Sequence, residues 1–287
     1  MSGRRFDTID DYERHLAAGY GQGEGMSFKP WLTVRDVPAP GRTHKIFSTL
    51  CGREHQLLSD FAAEYFLITL YSAAATLESP GVVDIRETYV VPLVDSLTIA
   101  QALGLQHPKN SATKLPDVLW TSFLITTRDA TGTLALHPRS AIASIHAKTS
   151  GWRALMVRLE IIRVFWAEKG LTWKLITRNE VNQQLYDNLR NFYEAAAMTE
   201  IVNDLVGQEL LIADARNFDW TVKPVNENLR GASERIGRTF EHTVSLFKFL
   251  AWSKVIVWSI HTHRFHPSEP LPAQPVIAEK LPTGSHS

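Results

Sequence analysis

The stretch from Pro116 to Lys148 constrains this chain more than any other. Val118 to Thr127 (VLWTSFLITT) is apolar and β-branched, Asp129-Ala130-Thr131-Gly132 supplies turn residues, and Thr133 to Lys148 returns as a second extended, mostly apolar run. The pattern predicts a strand–turn–strand unit. Behind it, Trp152 to Lys169 (WRALMVRLEIIRVFWAEK) spaces its apolar residues for a long helix that Gly170 closes, and Leu171 to Thr177 reads as a further strand. Strand side chains alternate faces, so His146 and Lys148 share one face and Ala147 takes the other. That arrangement can present a metal ligand beside a lysine.

Composition narrows the class. With 287 residues, 44% of them hydrophobic, the chain has apolar material for two cores. A formal net charge of +0 removes any bulk pull toward nucleic acid or an anionic membrane, while leaving room for a local basic face. Cys51 stands alone, which excludes an intrachain disulfide framework, fits a reducing compartment and reads as a packing residue. No signal peptide opens the chain and no apolar run reaches spanning length, so a cytoplasmic protein without a membrane partner is expected.

Along the chain, Asp7 to Ala18 reads as a capped leading helix ending at Gly19-Tyr20-Gly21-Gln22-Gly23. Pro30 to Arg42 and onward to Gln56 reads as an extended arm with turns. Ser59 or Asp60 caps a buried helix, Phe61 to Ala75, whose one interior acid is Glu64. Val82 to Val91 reads as a strand and Thr98 to Leu103 as a short helix ended by Gly104. Together with the hairpin and crossover helix these make an α/β domain over 1–177. Past Thr177 the pattern turns helical, with Asn179–Tyr193, Met198–Val206 and Arg235–Leu250 as helices and Ser253–Ile260 as a closing strand, giving a second, mainly helical domain over 178–265. The Pro-rich tail, 266–287, is expected to be disordered.

Several stretches occur in a familiar order. They are Gly21-Gln22-Gly23 with Pro30 to Val34; Val37-Pro38 with Gly41-Arg42 and His44; His55 with Leu57 to Asp60; Asp84 to Glu87; Ile99-Ala100, Gly104 and His107-Pro108; Thr121 with Phe123-Leu124; and Leu159-Glu160 with Arg163 and Trp166. On these the chain resembles the TnsA family, the endonuclease subunit of heteromeric cut-and-paste transposases. In the second domain the likeness narrows to Arg238-Thr239 and the region Val244 to Ile260. The resemblance implies a restriction-endonuclease-like PD-(D/E)xK core, a winged-helix-like second domain and two-metal phosphodiester chemistry. There, carboxylates hold Mg2+ and a lysine offsets developing charge.

The family's site carries over poorly. Its helix Glu falls on Ala62, its strand Asp on Ser122, its Gln on His146 and a further helix Glu on Ile162; the family lysine is retained as Lys148. Glu64 lies about 200° round the helix from Ala62, and Asp60 is displaced likewise in the opposite sense. Glu160 matches a different family acid. These three are the fallback metal ligands, and the cofactor expectation is none, with Mg2+ if the chain is active. Lys148 reads equally as a strand-end lysine with its stem on apolar surface and as a retained contact to DNA phosphate. Asp84, Arg86 and Glu87 read as structural ion pairs. Arg42, Arg53 and Arg86 are candidate DNA contacts, as is His55, and the His261, His263, His266 cluster reads as a solvated strand end.

Three functions follow. In the first, the chain is a TnsA-like subunit acting with a TnsB-like recombinase, a TnsC-like ATPase and transposon-end DNA. Its role there is structural and DNA-positioning, in a bacterial cytoplasm and at the nucleoid when engaged. In the second it is an active Mg-dependent endonuclease cutting 5′ ends through a rearranged ligand set. In the third it is a free-standing DNA-binding regulator.

Overall fold

In the computed structural model, which describes residues 8–36, 42–72, 81–110, 113–143 and 151–278, the chain divides into two units, Met1–Val181 and Asn182–Ser287. The division falls slightly beyond the expected 177/178. Thr177 caps a short turn, Arg178–Glu180, that still belongs to the first unit.

Local capping starts the first unit as the sequence anticipates. Helix α1 (Ile9–Ala17) begins at Thr8, whose hydroxyl accepts the Asp11 amide while the Asp11 carboxylate accepts the Thr8 amide, each at 3.1 Å. The supposed extended arm instead contains a hairpin, β1 (His44–Ser48) and β2 (Arg53–Leu57), closed by Gly52 at φ 64°. Ser59 caps α2 (Asp60–Tyr71), β3 spans Gly81–Val91, and α3 (Leu93–Ala102) starts earlier than expected, directly after Pro92. The hairpin is present as β4 (Leu119–Arg128) and β5 (Leu134–Ala141), its turn organised by Asp129 Oδ1, which accepts the Thr131 and Thr133 amides at 2.9 Å. His146 and Lys148 lie outside the described residues.

Helix α4 (Trp152–Glu168) carries the chain back to β6, trimmed to Lys174–Ile176. The sheet order is β3-β4-β5-β6, with β6 parallel to β5 and the other pairs antiparallel. This is a mixed sheet in an α/β unit, which fits a restriction-endonuclease-like core. Val91, Ile99, Ala100, Leu119, Leu124, Ile161, Ile162, Phe165 and Trp166 pack α3 and α4 on the sheet. Trp166 Nε1 donates to Thr121 Oγ1 at 2.7 Å, satisfying the one polar atom the indole brings into that core.

The second unit is mainly helical: α5 (Gln183–Ala196), α6 (Thr199–Asn203), α7 (Leu205–Ala215), α8 (Val225–Ile236) and α9 (Phe240–Trp252), with a ribbon of β7 (Ile256–Val257) and β8 (Val276–Ile277). Two expected helices change here. Met198–Val206 breaks at Asp204, whose carboxylate caps α7 at the Gly207 amide. Arg235–Leu250 breaks at Gly237, φ 66°, where a left-handed residue ends α8 and Thr239 caps α9. Helix α8 itself was hidden by its polar, Gly-containing sequence; its buried Val225, Leu229, Ala232 and Ile236 nevertheless recur at helical spacing. The closing strand shrinks from Ser253–Ile260 to β7.

The tail is corrected as well. Residues 266–278 are seated rather than disordered: Leu271 is buried and its amide donates to the Trp220 carbonyl at 2.8 Å. The first amides of α8 lack a side-chain cap after Pro224, and the tail supplies their acceptors, Glu269 O for Val225 and Pro267 O for Asn226.

Candidate functional site

The first unit gathers its candidate positions around a pocket of about 190 Å³ lined by Leu32, Gln56, Leu57, Leu58, Ser59, Ala62, Glu87, Thr88, Trp120, Ser122, Phe123 and Ala141. Ala62 comes from α2, Glu87 and Thr88 from β3, Ser122 and Phe123 from β4, and Ala141 from β5. Neighbours on a regular strand point to opposite faces. Two adjacent residues on each of β3 and β4 lining one pocket therefore require a break in the pleat. That break is Thr88, at φ 45°, where pairing passes from Glu87↔Phe123 to Tyr89↔Thr121. A left-handed β-branched residue costs on the order of 1–3 kcal/mol. Thr88 is held there by Leu32: its Oγ1 accepts the Leu32 amide at 3.2 Å and donates to the Leu32 carbonyl at 3.4 Å.

Strand β5 parts from β4 at the same level. The last pair is Phe123↔Arg139, after which β5 stays paired with β6 through Ser140↔Leu175 and Ala141↔Ile176. Ser122 sits at this fork, and its Oγ accepts the Ala141 amide at 3.0 Å. The hydroxyl thus replaces a lost ladder bond.

The pocket carboxylate is Glu87, 1% exposed. Oε1 accepts from Arg53 Nη1 at 2.9 Å and from the Gln56 amide at 2.9 Å; Oε2 accepts from Arg53 Nη2 at 2.6 Å and lies 2.8 Å from His55 Nδ1. Burial alone pushes this carboxyl up, but the hydrogen bonds from Arg53 and His55 outweigh it and hold it down at about 2. Arg53 also donates to the Gly25 and Ile85 carbonyls, and its guanidinium stacks on Phe28.

These contacts correct part of the expected DNA surface. Arg53 and His55 are buried partners of Glu87, so neither is a DNA contact. Arg86 is likewise buried, bonded to Glu24 and Thr126 beside Asp84, and Tyr89 lies under its guanidinium. The ion-pair reading of Asp84, Arg86 and Glu87 agrees with this placement. Arg42 is exposed. Sequence reasoning missed Thr88 and the Arg53–His55–Glu87 set. A signal existed for the latter: Arg53 and His55 stand two apart on a strand, hence on one face, and an apolar strand carries an acid at 87.

The fallback acids are engaged elsewhere. Glu64 faces away from the pocket and pairs with Arg178. Asp60 is exposed, with its Oδ1 2.7 Å from His44 Nε2. Glu160 takes a bidentate bond from Arg163 at 2.6 and 2.8 Å, which lowers its pKa. Ile162 is a core residue, so an acid there would be buried among apolar side chains. His261, His263 and His266 are exposed and, among the described residues, no group of His, Cys, Asp or Glu is arranged to hold a metal.

Magnesium asks for several free oxygen ligands in near-octahedral array. The described pocket residues do not fit it: Ala62 offers a methyl, Ser122 a hydroxyl bound to a backbone amide, and Glu87 a carboxylate whose oxygens already serve Arg53, His55 and Gln56.

With that geometry in view, two comparisons bear on the chain. A family model described as TnsA-like endonuclease N terminal matches residues 79–178, which run from the start of β3 through the fork, α4 and β6. The transposon Tn7 transposition protein TnsA of Escherichia coli is 31% identical over 196 residues, covering 68% of this chain and 66% of that protein. The matched segment contains Glu87, Thr88 and Ser122 of the pocket strands, and on these two matches the chain belongs to the TnsA family.

Proposed function

We propose that the chain is a TnsA-like subunit of a heteromeric DNA transposase, acting in DNA transposition with a TnsB-like recombinase and a TnsC-like ATPase. Its first unit, read as a PD-(D/E)xK-type fold, holds transposon-end DNA in place without cutting it. The second unit is read as the family's winged-helix-like domain. The observation that carries this reading is the pocket. Ala62 and Ser122, where the family's acids would stand, line it together, and the carboxylate beside them is neutralised by a buried guanidinium. An acid whose acceptor sites are taken by Arg53, the Gln56 amide and His55 has no lone pairs free for a cation.

The test is nicking of supercoiled DNA carrying the element's ends, in Mg2+ and in Mn2+, with the recombinase and ATPase subunits added. The parent is compared with Lys148→Ala and Glu64→Gln. The expected result is assembly on the ends with 5′ strands uncut, indifferent to both substitutions. Nicking at the 5′ ends that Glu64→Gln removes would establish an active endonuclease with a relocated carboxylate. Absence of any association with recombinase or ATPase would leave a free-standing DNA-binding regulator as the better account.

A further inference from the structure

The sheet face next to α2 carries a basic edge. Residues two apart on a strand share a face, as do residues paired across a ladder, which sets His137, Arg139 and Lys174 together. Arg139 pairs with Phe123 on the other side, and the Phe123 ring lies 5.6 Å from that of Tyr65 on α2. Burial pushes the Tyr65 hydroxyl up, and Arg139 is the nearby charge that opposes it, so the guanidinium reaches the turn of α2 that follows Ala62. The edge adjoins the pocket, because Phe123 and Ala141 belong to both.

Several cations of the first unit are balanced by carboxylates: Arg53 by Glu87, Arg158 by Asp117, Arg163 by Glu160 and Arg178 by Glu64. Arg139 and Lys174 form no ion pair among the described residues. Arg139 donates from Nη1 to the Pro138 and Thr172 carbonyls, at 2.9 and 3.3 Å, which anchors the guanidinium and leaves its charge uncompensated. His137, its Nε2 2.8 Å from Thr127 Oγ1, lies in the same field: burial lowers its pKa first, and Arg139 and Lys174 lower it further. Lys174 is exposed, and His137 and Arg139 are half-buried. Two like charges on strands about 4.8 Å apart repel each other, and a bound anion relieves that repulsion.

We propose that Arg139 and Lys174 are positioning residues that grip the phosphate backbone of duplex DNA at the edge of the pocket. Arg139 offers a planar fork to phosphate oxygens and Lys174 a point charge. Such contacts set register on the duplex without reading its sequence. The inference rests on the reading of the first unit as a part that holds DNA, and it names the charges that do so, since Arg53 and Arg86 are buried in ion pairs. With a net charge of +0 over the chain, local groups of this kind must supply the attraction.

Fluorescence anisotropy of the full chain tests it over a salt series, with one labelled duplex carrying the element's end and one of scrambled sequence. Lys174→Gln, at an exposed position, is expected to weaken both duplexes alike and to lower the slope of log K against log salt by about one. Adding Arg139→Gln is expected to lower it by about two and to weaken binding about tenfold or more, while Arg139→Lys, which keeps the charge and loses the fork, falls between. Arg128→Gln removes an exposed charge at the end of β4, where alternation sets it on the opposite face, and is expected to leave the slope unchanged. Circular dichroism verifies that each variant stays folded. A parent that binds with a slope unmoved by Lys174→Gln and Arg139→Gln would overturn this grip and leave the DNA-holding reading standing. An equal loss in Arg128→Gln would also overturn it, since net charge and not this edge would then attract the duplex. Displacement of the duplex by inorganic phosphate at matched ionic strength would do the same, by making the edge a site for free phosphate. A parent that binds neither duplex, alone or with the recombinase and ATPase subunits, would overturn both the grip and the reading it rests on.

Discussion

Replacing Glu87 by Gln keeps the shape of the pocket and removes one charge from a site that is 1% exposed. The amide can accept through one atom only, so Arg53, 8% exposed, loses its bidentate partner and is left with at most one bond to residue 87 beside its bonds to the Gly25, Glu54 and Ile85 carbonyls. Removing one partner of a buried ion pair costs about 3–5 kcal/mol. The protonation equilibrium gives a second route to the magnitude. Glu87 is held at about 2 against an ordinary 4.5, and at 1.36 kcal/mol per unit that is about 3 kcal/mol. Because the folded value is depressed, this stability is fully present above pH 4.5 and is lost as pH falls through 2. Two units need not unfold together, so the measurement is native-state hydrogen exchange at the β3 and β4 amides rather than a single melting curve. Glu87→Gln is expected to lower their opening free energy by about 3 kcal/mol at pH 7, and the deficit is expected to shrink below pH 4.5 as the parent loses the same charge. A variant as protected as the parent at pH 7, or a deficit unchanged at pH 3, would refute the assignment of Glu87 as the anion that balances Arg53.

Ser122→Ala removes the acceptor of the Ala141 amide at the fork and is expected to cost about 1–2 kcal/mol, read as faster exchange of that amide while amides at the Thr127 end of the hairpin keep their protection. Gly237→Ala forces a Cβ onto a residue at φ 66° with open space around it, so backbone strain alone should destabilise the second unit by about 1 kcal/mol, seen in its unfolding transition. Leu271→Ala, in the tail expected from sequence to be disordered, should cost about 2–3 kcal/mol and deprotect the first amides of α8 in hydrogen exchange. A disordered tail would show no effect.

Much of the fold could be read from local pattern. The hairpin turn at Asp129 and the long helix to Glu168 are set by residues within a few positions of one another, and the structure places them where the pattern does; it fixes the first cap at Thr8, one residue past the expected start at Asp7, and chooses Ser59 over Asp60 for the second. The pattern failed where local signal was weak or where a distant segment supplied the energy. Helix α8 opens without a side-chain cap and relies on carbonyls about forty residues later, and β1 and β2 pair across a turn that looked like part of an arm.

The sequence by itself determined a methyl at 62, a hydroxyl at 122 and aliphatic bulk at 162, the positions on which the resemblance sets the family's acids. Only the tertiary structure decided what surrounds them. Arg53 and His55 read as surface cations because charge on a single strand says nothing of its partner. Burial beside Glu87, more than thirty residues away, makes Arg53 the counter-charge of the pocket carboxylate and His55 its neighbour at 2.8 Å. Thr88 gives no local sign of its left-handed backbone, which follows from its grip on Leu32. Alternation and capping act between neighbours, whereas desolvation and ion pairing depend on what the folded chain brings alongside, and that second set governs the electrostatics of this site.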